Sequence, residues 1–225
     1  MTGWIREEEK TLMWKMNHET VRIQAWGEDG IRVRATKTPQ INDLNYALLD
    51  MPASKSHIEV ADDVATLDNG KIRAEISMNG LIRFFKETNK VLLEEYAFGP
   101  YLYPARRYKA RSSDLFELQV AFKAYDDERF YGLGQHQHGF LNQKGCVIEL
   151  SQRNSEVSIP FLLSSRGYGF LWNNPAIGRV ELGMSNTKWI ADAARQIDYF
   201  ITTGNSFAEI MKKYGGCHRP FSNDS

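Results

Sequence analysis

Apolar and polar residues alternate along most of the chain with a period of two, which places every second side chain on one face of a strand. In residues 20–26, Val21, Ile23 and Ala25 share a face, and in residues 31–36 Ile31, Val33 and Ala35 do the same. Between them Gly27-Glu28-Asp29-Gly30 has the composition of a four-residue hairpin loop. Residues 71–78 alternate again, and Asn79-Gly80 is a strong turn signal before residues 81–87. In residues 115–125, Phe116, Leu118, Val120, Phe122 and Ala124 fall on one side. Further strands are expected at 146–151, 159–164, 168–173, 179–184, 189–193 and 196–202. Many short strands joined by Gly, Asn and Pro turns predict an all-β chain, an antiparallel β-sandwich of two packed sheets.

One helix is written near the end. Ser206 and Glu209 form an S-x-x-E capping box, and Phe207, Ile210, Met211 and Tyr214 then make one apolar stripe. Lys212 and Lys213 sit where the helix dipole favours positive charge, and Gly215-Gly216 is the expected C-cap. The division expected is a sandwich over 1–204, the helix over 205–216 and a polar tail over 217–225.

Composition changes the picture by exclusion. With 225 residues, 42% hydrophobic, 25% charged and 12% aromatic, the chain is far from disorder. Lys+Arg and Asp+Glu are 28 each, so the formal net charge is zero, and a duplex nucleic-acid partner is not expected. No apolar run reaches the length of a membrane span. Glu7, Glu8 and Glu9 stand where a secretory signal would be basic, which predicts a cytoplasmic protein. Cys146 and Cys217 fit no zinc or disulfide framework and are expected to be reduced, buried thiols.

Candidate chemistry is sparse. His136 and His138, at i and i+2, would face one side of a strand, but a third metal ligand is missing at useful spacing, so they read as loop histidines and no metal or cofactor is expected. The Gly132-Leu133-Gly134 segment lacks the third glycine and the helix of a dinucleotide fingerprint. Arg106, Arg107, Lys109 and Arg111, interleaved with Tyr108, read as a solvated loop face, with a phosphate or sugar contact as the sharper option. Asp126, Asp127 and Glu128 read as the start of a turn, because neighbouring carboxylates do not flank a bond from opposite sides. Asn223-Asp224-Ser225 is a formal sequon without a secretion signal.

The segment RFYGLGQHQHGFLNQKG at 129–145, then IELSQRN at 148–154 and IPFLLSSRGYGFLWNNP at 159–175, resembles the N-terminal domain of glycoside hydrolase family 31, the α-glucosidase and α-xylosidase family. The matching residues are Phe130 to Gly134, Ile159, Pro160, Phe161, Ser165, Arg166, Gly167, Tyr168, Gly169, Trp172 and Asn173; Gln135 before His136 is closer to the α-xylosidase-like bacterial members. The resemblance implies a galactose-mutarotase-like β-sandwich. It also implies that a (β/α)8 barrel carrying two catalytic aspartates follows the helix. Residues 215–220 depart from the family's Pro-rich linker, and a barrel needs about 250 residues. No catalytic residue is therefore expected within this chain.

What the resemblance carries over is a loop at Gln152, Arg153 and Asn154 that would reach the substrate subsite. Its implied partners are an α-linked oligosaccharide or glycoside and the barrel, with homo-oligomerisation as a further option. The alternatives are a stand-alone carbohydrate-binding or assembly module, and an aldose mutarotase, which would need a His and Glu acid/base pair.

Overall fold

In a computed structural model of the protein, residues 4–8 (as backbone), 11–51, 56–87, 89–98 and 103–217 are described. The acidic side chains near the N-terminus, and the tail from His218 with its sequon, lie outside the described residues. In chain order the strands are β1 (Trp4–Glu8), β2 (Thr11–Met16), β3 (Glu19–Ala25), β4 (Gly30–Thr36), β5 (His57–Val60), β6 (Val64–Asn69), β7 (Ile72–Ser77), β8 (Ile82–Lys86) and β9 (Val91–Glu94). They continue as β10 (Arg106–Ala110), β11 (Phe116–Lys123), β12 (Phe130–Gln135), β13 (Val147–Leu150), β14 (Val157–Ser164), β15 (Tyr168–Trp172), β16 (Gly178–Leu182), β17 (Asn186–Ala194) and β18 (Ile197–Thr203). One helix, α1 (Phe207–Cys217), follows.

One layer is an eight-stranded sheet in the order β1-β2-β3-β4-β18-β15-β14-β12. The facing layer is divided in two, β10-β11-β17-β16-β13 and β5-β6-β7-β8-β9. A bridge between Glu95 and Phe122 joins these halves, with the Tyr96 amide donating to the Ala121 carbonyl at 2.9 Å. The antiparallel sandwich is thus as expected, with three sheets in place of two.

The pattern of alternation explains the main core. Val21, Ile23, Ile31 and Val33 point inward to meet Leu67, Ala74, Ile76, Val120 and Phe122 from the facing layer. The residues between them do not all face water. A second cluster, Trp26, Leu48, Phe161, Leu171, Phe200, Ile210 and Tyr214, lies on the outer face of the same sheet. It is covered by α1 and by the segment after β4. Strands β4, β15 and β18 are consequently buried on both faces.

The turns are those expected. The Trp26 amide donates to the Gly30 carbonyl at 2.9 Å, with Gly27 at φ 63° and Asp29 at φ 52°. Gly80 has φ 84°, and Trp14 packs against it and donates from its indole to the Met78 carbonyl at 3.0 Å. The capping box forms: Ser206 Oγ accepts from the Glu209 amide at 3.2 Å, and Glu209 Oε2 accepts from the Asn205 amide at 2.8 Å.

Three expectations are corrected. The helix runs through Gly215 and Gly216 to Cys217 instead of ending on them. Its C-terminal end is fixed by contacts: Cys217 is buried and its carbonyl accepts from Leu49 N at 2.8 Å. Cys146, the other free thiol, is only half-buried. The basic cluster is largely strand β10, and its Arg106 is buried. Its guanidinium is shared between Glu19 (2.7 Å) and Glu95 and lies over Trp14, so burial is tolerated because the charge is paired.

Candidate functional site

The site begins with the glycines of the 130–135 segment. Strand β12 is the edge of the large sheet, and its register against β14 shifts between Gly132 and Gly134. Gly132, Leu133 and Gly134 all have positive φ, at 98°, 69° and 97°. A Cβ on Gly132 would come within 2.8 Å of the Phe161 carbonyl oxygen, and one on Gly134 would run into the carbonyl of Val157. Only glycine tolerates both the conformation and the approach. The bulge turns Leu133 fully into the core and sends the chain outward at Gln135, paired with Val157.

Residues 136–145 then form a loop tied back to the strand that launched it. The Phe130 amide donates to Asn142 Oδ1 at 3.0 Å, the Gln143 amide donates to the Phe130 carbonyl at 2.8 Å, and Gln143 Nε2 donates to the Phe140 carbonyl at 2.8 Å. On this frame three rings are stacked. His136 and His138 are 5.8 Å apart with 10° between planes, and His138 and Phe140 are 5.6 Å apart with 26°. His136 Nε2 lies 2.8 Å from the Leu133 carbonyl, and His138 Nδ1 accepts from the Phe140 amide at 3.1 Å. Both contacts are satisfied by neutral imidazoles with the proton on Nε2. Among the described residues no group of three or more His, Cys, Asp or Glu is placed to hold a metal ion.

The hairpin expected to face sugar hangs from the same rim. Arg153 and Glu156 pair across a tight turn in which Ser155 has φ 71°. Gln152 is spent on the local fold: its amide donates to the Ser158 carbonyl at 2.8 Å and its oxygen accepts from the Ser158 amide at 3.2 Å. Arg153 is ion-paired with Glu149 and exposed, and Asn154 is exposed at the tip. Because Ser158 pairs with Gly134, the structure brings this hairpin and the histidine loop to one end of β12 and β14.

The remaining motif residues build the scaffold. Arg166 donates to the carbonyls of Leu92 (3.3 Å) and Val91 (2.5 Å) and lies 3.7 Å over the Tyr125 ring, clamping β9 to the large sheet. Gly169 lets α1 approach, since a Cβ there would meet Ile210 at 2.7 Å. Asn173 donates to Asp198 at 3.2 Å, which in turn receives a two-pronged contact from Arg32 at 3.0 and 2.6 Å. Asp126 and Asp127 form the expected turn, closed by the Glu128 amide donating to the Tyr125 carbonyl at 3.0 Å, while the Glu128 side chain is buried and accepts from Ser164 at 2.5 Å and Tyr168 at 2.8 Å. Burial pushes its carboxyl above the usual range. These roles need tertiary contacts and have no signature in the local pattern.

Among the described residues two carboxylate pairs share a cation, Glu19 and Glu95 at Arg106 and Asp29 and Glu209 at Lys213, with Lys71 also on Glu209 at 3.4 Å. Glu95 and Asp29 are buried, so neither pair presents two open carboxylates across a cleft. The helix stripe also divides. Ile210 and Tyr214 are buried, with Tyr214 stacked 3.8 Å from Phe161, whereas Phe207 and Met211 are exposed and Phe207 meets Tyr131 at 5.4 Å.

Comparison with known proteins agrees with this anatomy. The family glycosyl hydrolase 31 N-terminal galactose mutarotase-like domain matches residues 20–181. An uncharacterized family 31 glucosidase of Pseudescherichia vulneris is 34% identical over 227 residues, 92% of this chain and 43% of that protein. Alpha-xylosidase A of Aspergillus niger is 32% identical over 210 residues, 81% of this chain and 28% of that protein. The structure of a family 31 α-xylosidase from a soil metagenome, complexed with xylose, superposes with a TM-score of 0.92 at 39% identity. The match covers 96% of this chain and 34% of that one. This chain thus spans less than half the length of these relatives. With the glycine bulge, the Arg166 clamp and the sandwich all in place, the chain belongs to the glycosyl hydrolase 31 N-terminal galactose mutarotase-like domain family.

Proposed function

We propose that the chain is the non-catalytic N-terminal domain of a retaining α-glycosidase that acts on α-xylosides. In that role the sandwich over 1–204 docks a catalytic barrel, and Gln152 to Asn154 bring a loop to the substrate pocket. The observation that supports this most is the 39% identity to the soil-metagenome α-xylosidase across 96% of the chain. The distribution of carboxylates supports it too, because those that come together here are spent on Arg106 and Lys213. Arg153 and Asn154, which remain exposed at the turn, are multi-donor groups suited to vicinal hydroxyls. Gln152 acts by holding the turn in shape. Exposed Phe207, which meets Tyr131, and exposed Met211 are assigned to the docking face. A cytoplasmic location and α-glucoside side activity belong to the same proposal. Among the described residues no helix is long and apolar enough to cross a membrane.

The aldose mutarotase reading loses support from the geometry, since buried Glu95 faces Arg106 and buried Glu128 faces Ser164 and Tyr168 rather than an imidazole.

The test is reconstitution. The chain alone should not hydrolyse nitrophenyl α-xyloside. Co-expressed with the part of the soil-metagenome α-xylosidase that it does not match, it should restore turnover, with α-xyloside preferred over α-glucoside. Failure to associate, or turnover by the chain alone that survives repurification, overturns the proposal.

A further inference from the structure

We propose that the ladder of His136, His138 and Phe140 is a stacking platform for a single pyranose ring. The inference rests on the reading of this chain as part of an α-glycosidase, and it adds to the hairpin a different kind of contact. A pyranose presents two chemistries, a face of weakly positive C–H groups and a rim of hydroxyls. The face is attracted to the negative face of an aromatic ring, and the rim needs hydrogen-bonding partners. The rim at the end of β12 offers both. Phe140 is 63% exposed at the outer end of the ladder, so one ring face is open to solvent. His138, with Nδ1 occupied by the Phe140 amide, carries its proton on Nε2, where it can donate to a hydroxyl. The hairpin tip with Arg153 and Asn154 stands at the same end of β12 and β14.

The rings are held before any ligand arrives. His136 is tied to the Leu133 carbonyl, His138 to the Phe140 amide, and the Phe140 carbonyl to Gln143. Gly139, at φ 70°, makes the reversal between the second and third rings. Such pinning removes most of the ordering cost that a sugar contact would otherwise have to meet. These rings contribute nothing to either hydrophobic core, so their fixed stack has no packing role in the sandwich. The polar border of the ladder suits the hydroxyl rim of a sugar. Exposed Gln135, Gln137 and Asn142 border the ladder with amides.

The experiment is saturation-transfer NMR on the 225-residue chain with methyl α-xylopyranoside as the probe and mannitol, an acyclic polyol with no ring face, as the control. The expected result is transfer to the ring C–H protons of the xyloside and not to mannitol. Phe140→Ala should weaken binding by roughly two- to tenfold, the range of one aromatic contact. Its near-ultraviolet circular dichroism should stay close to wild type, because the side chain is mostly exposed. Absence of transfer, or equal transfer to mannitol, overturns the inference. So does unchanged binding in Phe140→Ala together with loss in Asn154→Ala, which would assign the sugar to the hairpin alone and leave the proposed function standing. Loss in Phe140→Ala alongside failed reconstitution would do the reverse.

Discussion

The centre of the large sheet and its rim use polar residues in opposite ways. In β4, β15 and β18 every residue is buried; Arg32 and Asp198 close on each other, and Arg34 reaches Gln24 and Asp43. Arg32 has no exposed surface and places its guanidinium on Asp198, Asn45 and the Leu44 carbonyl, 4.7 Å over Trp26. At the rim, Phe140, Leu141, Val147, Arg153 and Asn154 all face solvent. A buried ion pair is costly to break and fixes one arrangement, whereas an exposed group is free to meet something else. The comparison therefore separates residues that hold the domain from residues available for contact.

The sharpest break of that comparison is at Arg32. Arg32→Met should destabilise the domain by about 3–5 kcal/mol, because Asp198 is left buried without its partner. Adding Asp198→Asn should recover part of the loss, a coupling readable from urea unfolding of the two single variants and the double. If Arg32→Met unfolds at wild-type urea, the centre is not locked in the way described.

Gly134→Ala comes next, at about 1–3 kcal/mol, since φ 97° is strained for alanine and the new methyl meets the Val157 carbonyl. The same test distinguishes rim from centre in another way. The bulge carries Leu133 into the core, so this variant should also disorder the histidine loop, seen as a change in the His136 and His138 imidazole resonances. Unaltered resonances would mean that the loop does not depend on the bulge.

Much of the inner core was legible in the alternation of 20–26, 31–36, 71–87 and 115–125, because a period of two directly encodes one buried face. The second core was not. Arg32 and Arg34 alternate with Ile31, Val33 and Ala35, and only the covering segment with Leu48 and the helix with Ile210 and Tyr214 make their face an interior. The burial of Arg106 and of the Glu128 side chain is not legible for the same reason, since a charged group is buried only where distant partners offset its desolvation, and pattern does not reveal partners. The candidate site stands on less. The role of the hairpin at 152–154 is an expectation carried by family resemblance alone, and the histidine pair reads only as an incomplete metal motif. The stack with Phe140 depends on the turn at Gly139, which spacing does not show.

A smaller, pH-dependent effect probes the helix that covers the centre. Lys213 and the Asn205 amide hold the Glu209 carboxyl down to about 2. The group is depressed in the folded state. Its contribution is present above the ordinary carboxylate value, about 4.5, and is lost as the pH falls through about 2. Melting temperature followed from pH 7 downward should fall less steeply over that window in Glu209→Gln than in the wild type. Parallel curves would remove Glu209 from the account of how α1 is fastened.

The smallest effect belongs to the rim. Arg153 pairs with Glu149 in solvent, and an exposed pair of this kind is worth about 0–1 kcal/mol. Arg153→Ala should leave urea unfolding within about 0.5 kcal/mol of wild type. In the reconstituted glycosidase, however, the proposed contact predicts a raised KM for the α-xyloside, since that role makes Arg153 a donor to sugar hydroxyls and leaves the barrel chemistry untouched. That split between unchanged stability and changed KM is what a contact residue predicts. A structural turn residue predicts the opposite, a loss of stability with KM preserved, and finding that pattern would move Arg153 from the contact side of the comparison to the scaffold side.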